Sequence, residues 1–192
     1  IAQFTGMAAT DWSWSNLIAD FDNDGLKDTY VTNGLLRDIR NTDADKNVAN
    51  YINTTRAQWL QKNPRAQNIK SIWDIVDLEK AVGMVPSQPL KNYAYQNLGD
   101  LEFKNRSNDW GLDEESFSNG SAYADLDNDG DLDLVVNNIN NEAFIYRNNS
   151  ESLENGNFLR IKLIDQNNRP TFGTRVNLYT SKEVQTLEST NV

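Results

Sequence analysis

Two stretches of the chain carry carboxylates at a spacing that suits one kind of chemistry. Ala19-Asp20-Phe21-Asp22-Asn23-Asp24-Gly25-Leu26-Lys27-Asp28 and, 105 residues further on, Ala124-Asp125-Leu126-Asp127-Asn128-Asp129-Gly130-Asp131-Leu132-Asp133 both place aspartate at positions 1, 3, 5 and 9 and glycine at position 6. Alternate residues of a tight loop can aim their oxygens at one point, which suits hard Ca2+ with its six to eight oxygen ligands at about 2.3–2.6 Å. The first candidate ligand set is Asp20, Asp22, Asp24 and Asp28 with the Leu26 carbonyl; the second is Asp125, Asp127, Asp129 and Asp133 with the Asp131 carbonyl. Position 7 needs only its backbone, so leucine and aspartate both serve there, and the glycine permits the sharp turn.

Two carboxylates about 4 Å apart repel by roughly 4 kcal/mol at an effective dielectric constant of 20, so four that converge call for a cation. A metal-free Asp/Asn-rich turn is the weaker alternative, because the full spacing occurs twice. Magnesium is disfavoured by the number of ligands. The loops are not EF-hands: position 12 is Val31 or Val136, where that motif needs a bidentate glutamate.

The composition removes other chemistries. The 192 residues contain no cysteine and no histidine, which excludes disulfides, thiol chemistry, Ser-His and Cys-His nucleophiles and most zinc sites. A formal charge of −10, from 28 acidic and 18 basic residues, argues against nucleic acid or an anionic membrane as partner. No apolar run reaches the roughly 18 residues of a membrane span, so no membrane insertion is expected. The N-terminus is not a signal peptide and reads as the interior of a longer chain.

The elements that must position the loops are β-strands. Thr29-Tyr30-Val31-Thr32 and Leu134-Val135-Val136 leave the two loops as β-prone runs and end at turn signals, Asn33-Gly34 and the asparagine cluster from Asn137 to Asn141. The likeness extends outward, with Trp14-Ser15-Asn16 against Phe117-Ser118-Asn119 before the loops and Tyr95-Gln96-Asn97 against Tyr146-Arg147-Asn148 after them. Those last triplets begin 67 and 13 residues beyond the final loop aspartate, so the first repeat holds an insertion of 54 residues. Residues 92–97 and 101–103 read as a hairpin, as do residues 143–146 with the run after Asn148. Each repeat is then a small antiparallel meander that cannot bury both faces alone.

The insertion, residues 36–90, changes period. Val48, Tyr51, Ile52, Thr55 and Trp59 recur at helical spacing after a cap at Thr42 or Asp43, with Pro64 beyond the end; Ile69, Ile72, Trp73 and Val76 repeat the pattern up to Gly83. Two amphipathic helices are expected, packed on each other or on the sheet. From residue 157 the β pattern returns: Phe158-Leu159-Arg160-Ile161-Lys162-Leu163 alternates, Asn167-Asn168-Arg169-Pro170 turns, and Arg175-Val176-Asn177-Leu178-Tyr179 alternates again, with no evident closing strand.

Asp-x-Asp-x-Asp-Gly-x-x-Asp between two strands resembles the calcium loop of FG-GAP or VCBS repeats, the blades of integrin-type β-propellers. Asn97-Leu98-Gly99-Asp100-Leu101-Glu102-Phe103 followed by Trp110-Gly111-Leu112 is similar to the later blade segment of the cartilage acidic protein family. Residues 157–163, with Asn168-Arg169 and Phe172-Gly173-Thr174-Arg175-Val176, resemble the ASPIC and UnbV module that follows the propeller in that family. Together these motifs cover about two thirds of the chain. A literal Phe-Gly-…-Gly-Ala-Pro sequence is missing, and the insertion has no counterpart in a minimal blade.

The resemblance implies a mainly β fold: a partial β-propeller of two FG-GAP-like blades with a helical insertion and a C-terminal β module. Its parts are residues 1–35 (first blade with its calcium loop), 36–90 (insertion), 91–112 (rest of the first blade), 113–156 (second blade) and 157–192 (truncated β module). It implies a segment of a secreted, cell-surface or periplasmic protein that binds two structural calcium ions and serves as a scaffold for an extracellular protein or glycan partner. It imports no catalytic residue.

Two other functions have sequence support. Some polysaccharide lyases are built on propellers with similar calcium loops, and Lys91, Tyr93, Arg106 and Tyr123 are the residues that would serve such an enzyme. No nucleophile motif or phosphate-cradling glycine loop accompanies them. Alternatively the insertion docks a partner through Tyr51, Trp59 and Trp73, although stripes of this kind are more often core. Asn53, Asn105, Asn119 and Asn148 head glycosylation triplets, which chance also supplies in so asparagine-rich a chain.

Overall fold

The computed structural model describes residues 3–64, 71–150, 158–180 and 184–189. The chain is mainly β and divides into two compact units, Ile1–Gly156 and Asn157–Val192. In the first unit a four-stranded antiparallel sheet is built from β1 (Ser13–Ala19), β2 (Asp28–Asn33), β4 (Tyr93–Asn97) and β5 (Phe103–Asn105), in that spatial order. A three-stranded sheet follows from β7 (Ser118–Ala124), β8 (Asp133–Asn138) and β9 (Phe144–Tyr146). Between them β3 (Leu90–Lys91) pairs with β6 (Glu115–Ser116). None of these sheets is closed.

The two repeats superimpose in register, not only in outline. β1 and β7 begin and end at positions 105 apart, as do β2 and β8. Ser13 faces Asn33 and Asn16 faces Val31 across an irregularity, and Ser118 faces Asn138 and Ser121 faces Val136 across the same one. The third strands also match: Thr29 faces Tyr95 and Val31 faces Tyr93, while Leu134 faces Tyr146 and Val136 faces Phe144. A side-chain period of two makes such a register an all-or-none matter, because a slip of one residue would turn Tyr30 and Val136 out of the core. Asn97 turns into Phe103 through the Leu98 amide on the Glu102 carbonyl at 2.8 Å, which forms the first expected hairpin. In the second repeat the run after Asn148 lies outside the described residues beyond Ser150.

The sheets share one core. Tyr30, Ala94, Leu134 and Val136 are buried together, with Leu17, Phe21, Trp110, Leu112, Phe144 and Tyr146 packed around them. β1 lies against β7, and Ser15 Oγ meets Ser121 Oγ at 2.9 Å. A buried polar chain also ties the repeats. The Asn33 amide donates to Asn92 Oδ1 (2.8 Å), Asn92 Nδ2 to Ser118 Oγ (2.9 Å) and Ser118 Oγ to Asn138 Oδ1 (2.7 Å). Each member is satisfied, so the network fixes one arrangement of the sheets without leaving a desolvated group. Gly34 sits at this junction with φ +135°, and a Cβ there would overlap the Ser116 carbonyl oxygen and Phe117 Cα.

The insertion leaves and returns at one point, which explains how 54 extra residues spare the repeat. Leu35 and Gln88 exchange backbone hydrogen bonds of 3.0 and 2.9 Å at its base, and Arg37 Nη1 donates to Ser87 Oγ at 2.9 Å. Helix α1 (Thr42–Lys62) is capped by Asn41, whose side chain accepts the Ala44 amide at 2.9 Å. The cap is thus one residue before the expected Thr42 and two before Asp43, since the residue that stays extended supplies the side-chain oxygen. Ala44 is buried and Val48, Tyr51, Ile52, Thr55 and Trp59 are half-buried, forming the expected stripe. The second expected helix is shorter than its pattern: one 3-10 turn, Ile72–Asp74, and α2 (Leu78–Gly83). Ile69 lies outside the described residues. Lys80 Nζ stands 4.9 Å from the Tyr51 ring centroid, so the two helices pack on each other. Among the described residues no helix is long and apolar enough to cross a membrane.

In the second unit β10 (Arg175–Tyr179) pairs with β11 (Val184–Glu188), the closing strand that sequence alone does not reveal. The alternating run 158–163 does not form a strand; its residues precede a turn in which Asp165 Oδ1 accepts the Asn167 and Arg169 amides, both at 2.8 Å.

Candidate metal centre

Each acidic loop joins the first two strands of a repeat, and both loops have the same backbone. Asn23 and Asn128, at position 4, are left-handed with φ of 57° and 66°, and Gly25 and Gly130 follow at 96° and 100°. Asparagine and glycine are the residues that adopt this conformation at least cost.

Position 9 is the anchor. Asp28 Oδ2 accepts the Phe21 amide (3.0 Å) and Oδ1 the Asn97 amide (2.9 Å); Asp133 Oδ2 accepts the Leu126 amide (2.9 Å) and Oδ1 the Asn148 amide (2.9 Å). Both aspartates are buried and pin the loop entrance to the end of the third strand. Asn97 and Asn148 return the connection, donating Nδ2 to the Lys27 carbonyl (3.1 Å) and the Leu132 carbonyl (3.2 Å). Asn148 Nδ2 also reaches the Phe21 carbonyl at 2.6 Å, so the two loops touch.

Within the first loop one carboxylate oxygen from each of Asp20, Asp22 and Asp28 lies within 4.8 Å of the others; in the second the same holds for Asp125, Asp127 and Asp129. Asp24 is exposed, and its Oδ1 accepts the Leu26 amide at 2.7 Å. Asp133 is occupied by its two amides. At position 7, Leu26 offers backbone only, whereas the Asp131 side chain is fully buried and accepts Ser150 Oγ at 3.1 Å. Its side chain is therefore structural, a role that the backbone-only expectation for position 7 missed.

The loops differ in what faces position 3. In the first, Gln96 Nε2 donates to Asp22 Oδ2 at 2.5 Å; Gln96 in turn accepts Arg106 Nε at 2.9 Å, and Arg106 is paired with Asp109 at 2.8 Å. In the second, the equivalent residue is Arg147, whose Nε lies 2.9 Å from Asp127 Oδ2 and Nη2 3.2 Å from Asp129 Oδ2. Sequence reasoning noted the triplets holding Gln96 and Arg147 as an echo but gave them no role at the loops.

The charges respond accordingly. Burial pushes the Asp20 and Asp22 carboxyls up, and the neighbouring negative charge of Asp24 adds to it, against hydrogen bonds from the Gly25 amide and Gln96 respectively. Burial pushes Asp28 up to about 7, although the Asn97 and Phe21 amides oppose the shift. In the second loop desolvation and the charge of Asp129 raise Asp127. Desolvation, the largest single influence on Asp129, raises it, but hydrogen bonds, with Arg147 foremost and the Asp131 amide next, together hold it below the usual range. A neutral amide, Gln96, faces the carboxylates of the first loop, and a cation, Arg147, faces those of the second.

The other candidate residues are already engaged. Lys91 Nζ pairs with Asp113 at 3.0 Å, Tyr93 stacks on Tyr95 at 5.9 Å, and Tyr123 meets Phe21 edge-on at 5.9 Å. Trp73 is half exposed on the insertion. A cavity of about 430 Å³ opens between the repeats, walled by Tyr30, Trp110, Leu134 and Tyr146, with Asp22 and Arg147 also in its lining. No family model, curated protein or solved structure matches the chain.

Proposed function

We propose that the chain is a calcium-stabilised β-propeller segment, two FG-GAP-like blades with an appended β module, that serves as a scaffold for binding or adhesion outside the cytoplasm. The observation that carries this proposal is the likeness of the two loops: the same register, the same left-handed asparagine and glycine, and three converging carboxylate oxygens in each, from positions 1, 3 and 9 in the first and 1, 3 and 5 in the second. Asp20, Asp22, Asp24 and Asp28 with the Leu26 carbonyl hold one ion, and Asp125, Asp127, Asp129 and Asp133 with the Asp131 carbonyl hold the other. Asp24 turns toward the ion when it binds, whereas Asp28 and Asp133 keep their amide contacts and offer the carboxylate lone pairs that those leave.

Calcium supplies charge here, not catalysis: it neutralises carboxylates that burial and mutual repulsion destabilise. An ion present at about 100 times its dissociation constant adds roughly 2.7 kcal/mol to folding. Two repeats fall short of the roughly four to eight blades of a closed ring, so the ring takes its other blades from outside this chain. The partner is an extracellular protein or a glycan.

Calcium titration by isothermal calorimetry tests the sites. Two ions per chain are expected for the wild type, and one for either Asp20→Ala or Asp125→Ala. A wild-type chain that binds no calcium at millimolar concentration would overturn the proposal.

A further inference from the structure

We propose that the two calcium loops are unequal by construction: the first is the tight site, and in the second the Arg147 guanidinium occupies the loop as a built-in cation that calcium must displace. This rests on the calcium reading above and adds an order of affinity and its cause.

The repeats provide an internal control. Backbone, register, the anchor aspartates and the asparagines that follow the third strand are matched. Position 7 differs, but the Asp131 carboxylate is buried against Ser150 Oγ; the residue facing position 3 is the difference in direct contact with the converging carboxylates. Gln96 presents a neutral amide to Asp22, and the Arg106 guanidinium stands behind Gln96, tied to Asp109. Arg147 instead forms a two-nitrogen contact with the carboxylates at positions 3 and 5, both of which are calcium ligands. A charged fork on two carboxylates competes directly with any incoming cation, and when displaced it remains nearby as a like charge.

The side chain of Arg147 is 61% exposed. The guanidinium can therefore swing into water without breaking the core, and solvent limits the strength of its grip. The second loop is accordingly weakened but not closed. Arg147 also lines the cavity between the repeats.

The test is calcium titration of the whole chain as wild type, Arg147→Gln and Gln96→Arg, the last two exchanging the natural residues of the equivalent positions. Sites are assigned by repeating each titration with Asp20→Ala or Asp125→Ala, and far-ultraviolet circular dichroism confirms the fold. Wild type is expected to show two dissociation constants. Arg147→Gln should tighten the weaker one by about ten-fold, and Gln96→Arg should weaken the tighter one by about as much. Equal wild-type constants, or an unchanged second site in Arg147→Gln, would overturn the inequality while leaving both loops as calcium sites. Absence of binding in all the variants would overturn both proposals. Arg147→Lys, which keeps the charge but loses the fork, should fall between wild type and Arg147→Gln.

Discussion

The two acidic loops share a backbone and differ in company. Asp28 and Asp133 make the same pair of amide contacts, and Asn23 and Asn128 adopt the same left-handed turn, yet one loop faces Gln96 and the other Arg147. The parts that set the shape of the turn are therefore duplicated, while the residue that sets its electrostatic environment is not. On the calcium reading proposed above, the repeated motif sets where the ligands stand, and a residue from another strand sets how strongly they hold an ion.

The largest effect is expected where the repeats diverge in backbone. Gly34 has φ +135° and no room for a side chain, whereas the equivalent position in the second repeat is Ile139. Gly34→Ala should cost about 3 kcal/mol or more, from backbone strain and overlap with the Ser116 carbonyl. Ile139→Ala should cost about 1 kcal/mol, a loss of buried methylene area. Urea unfolding of both variants measures the difference, and similar losses would deny the special geometry at Gly34.

The anchors should behave alike. In EDTA, Asp28→Ala and Asp133→Ala each leave two backbone amides without their acceptor and should each cost about 2–3 kcal/mol. A loss confined to one repeat would break the equivalence.

A third prediction separates the charge of Asp28 from its hydrogen bonds. Its carboxyl is pushed up by burial from 3.8 to about 7, so the folded state binds a proton that the unfolded chain releases. Stability from this group is full below about pH 4 and falls as pH rises toward about 7. Asp28→Asn does not titrate, so in EDTA its melting temperature relative to wild type should rise across that window. A constant difference would mean that Asp28 is not desolvated.

The smallest effect lies outside the repeats. Asn41→Ala removes one cap of α1 and should cost about 1 kcal/mol, without changing calcium binding by either loop.

Much of this architecture was legible in the sequence because it is periodic or repeated. The aspartate spacing located both loops, and the matched runs after them located β2 and β8. The cap of α1 was misplaced by one or two residues, since Asn41, Thr42 and Asp43 are all good caps and only backbone geometry chooses among them. β11 was missed because its sequence is polar and mostly exposed, so it carries little hydrophobic alternation. Residues 158–163 alternate yet form no strand, because alternation describes a face and pairing requires a neighbour. The roles of Gln96 and Arg147 were hidden for a related reason: their loop partners are distant in sequence for Gln96 and 18 to 20 residues away for Arg147, and only strand pairing brings them in.

Thermal unfolding followed by circular dichroism shows whether the two loops are structural calcium sites. Wild type and an Asp22→Ala, Asp127→Ala double variant are compared in EDTA and in millimolar calcium. The melting temperature is expected to rise with calcium in the wild type and to stay fixed in the variant. Wild-type curves that superimpose with and without calcium would contradict the calcium reading.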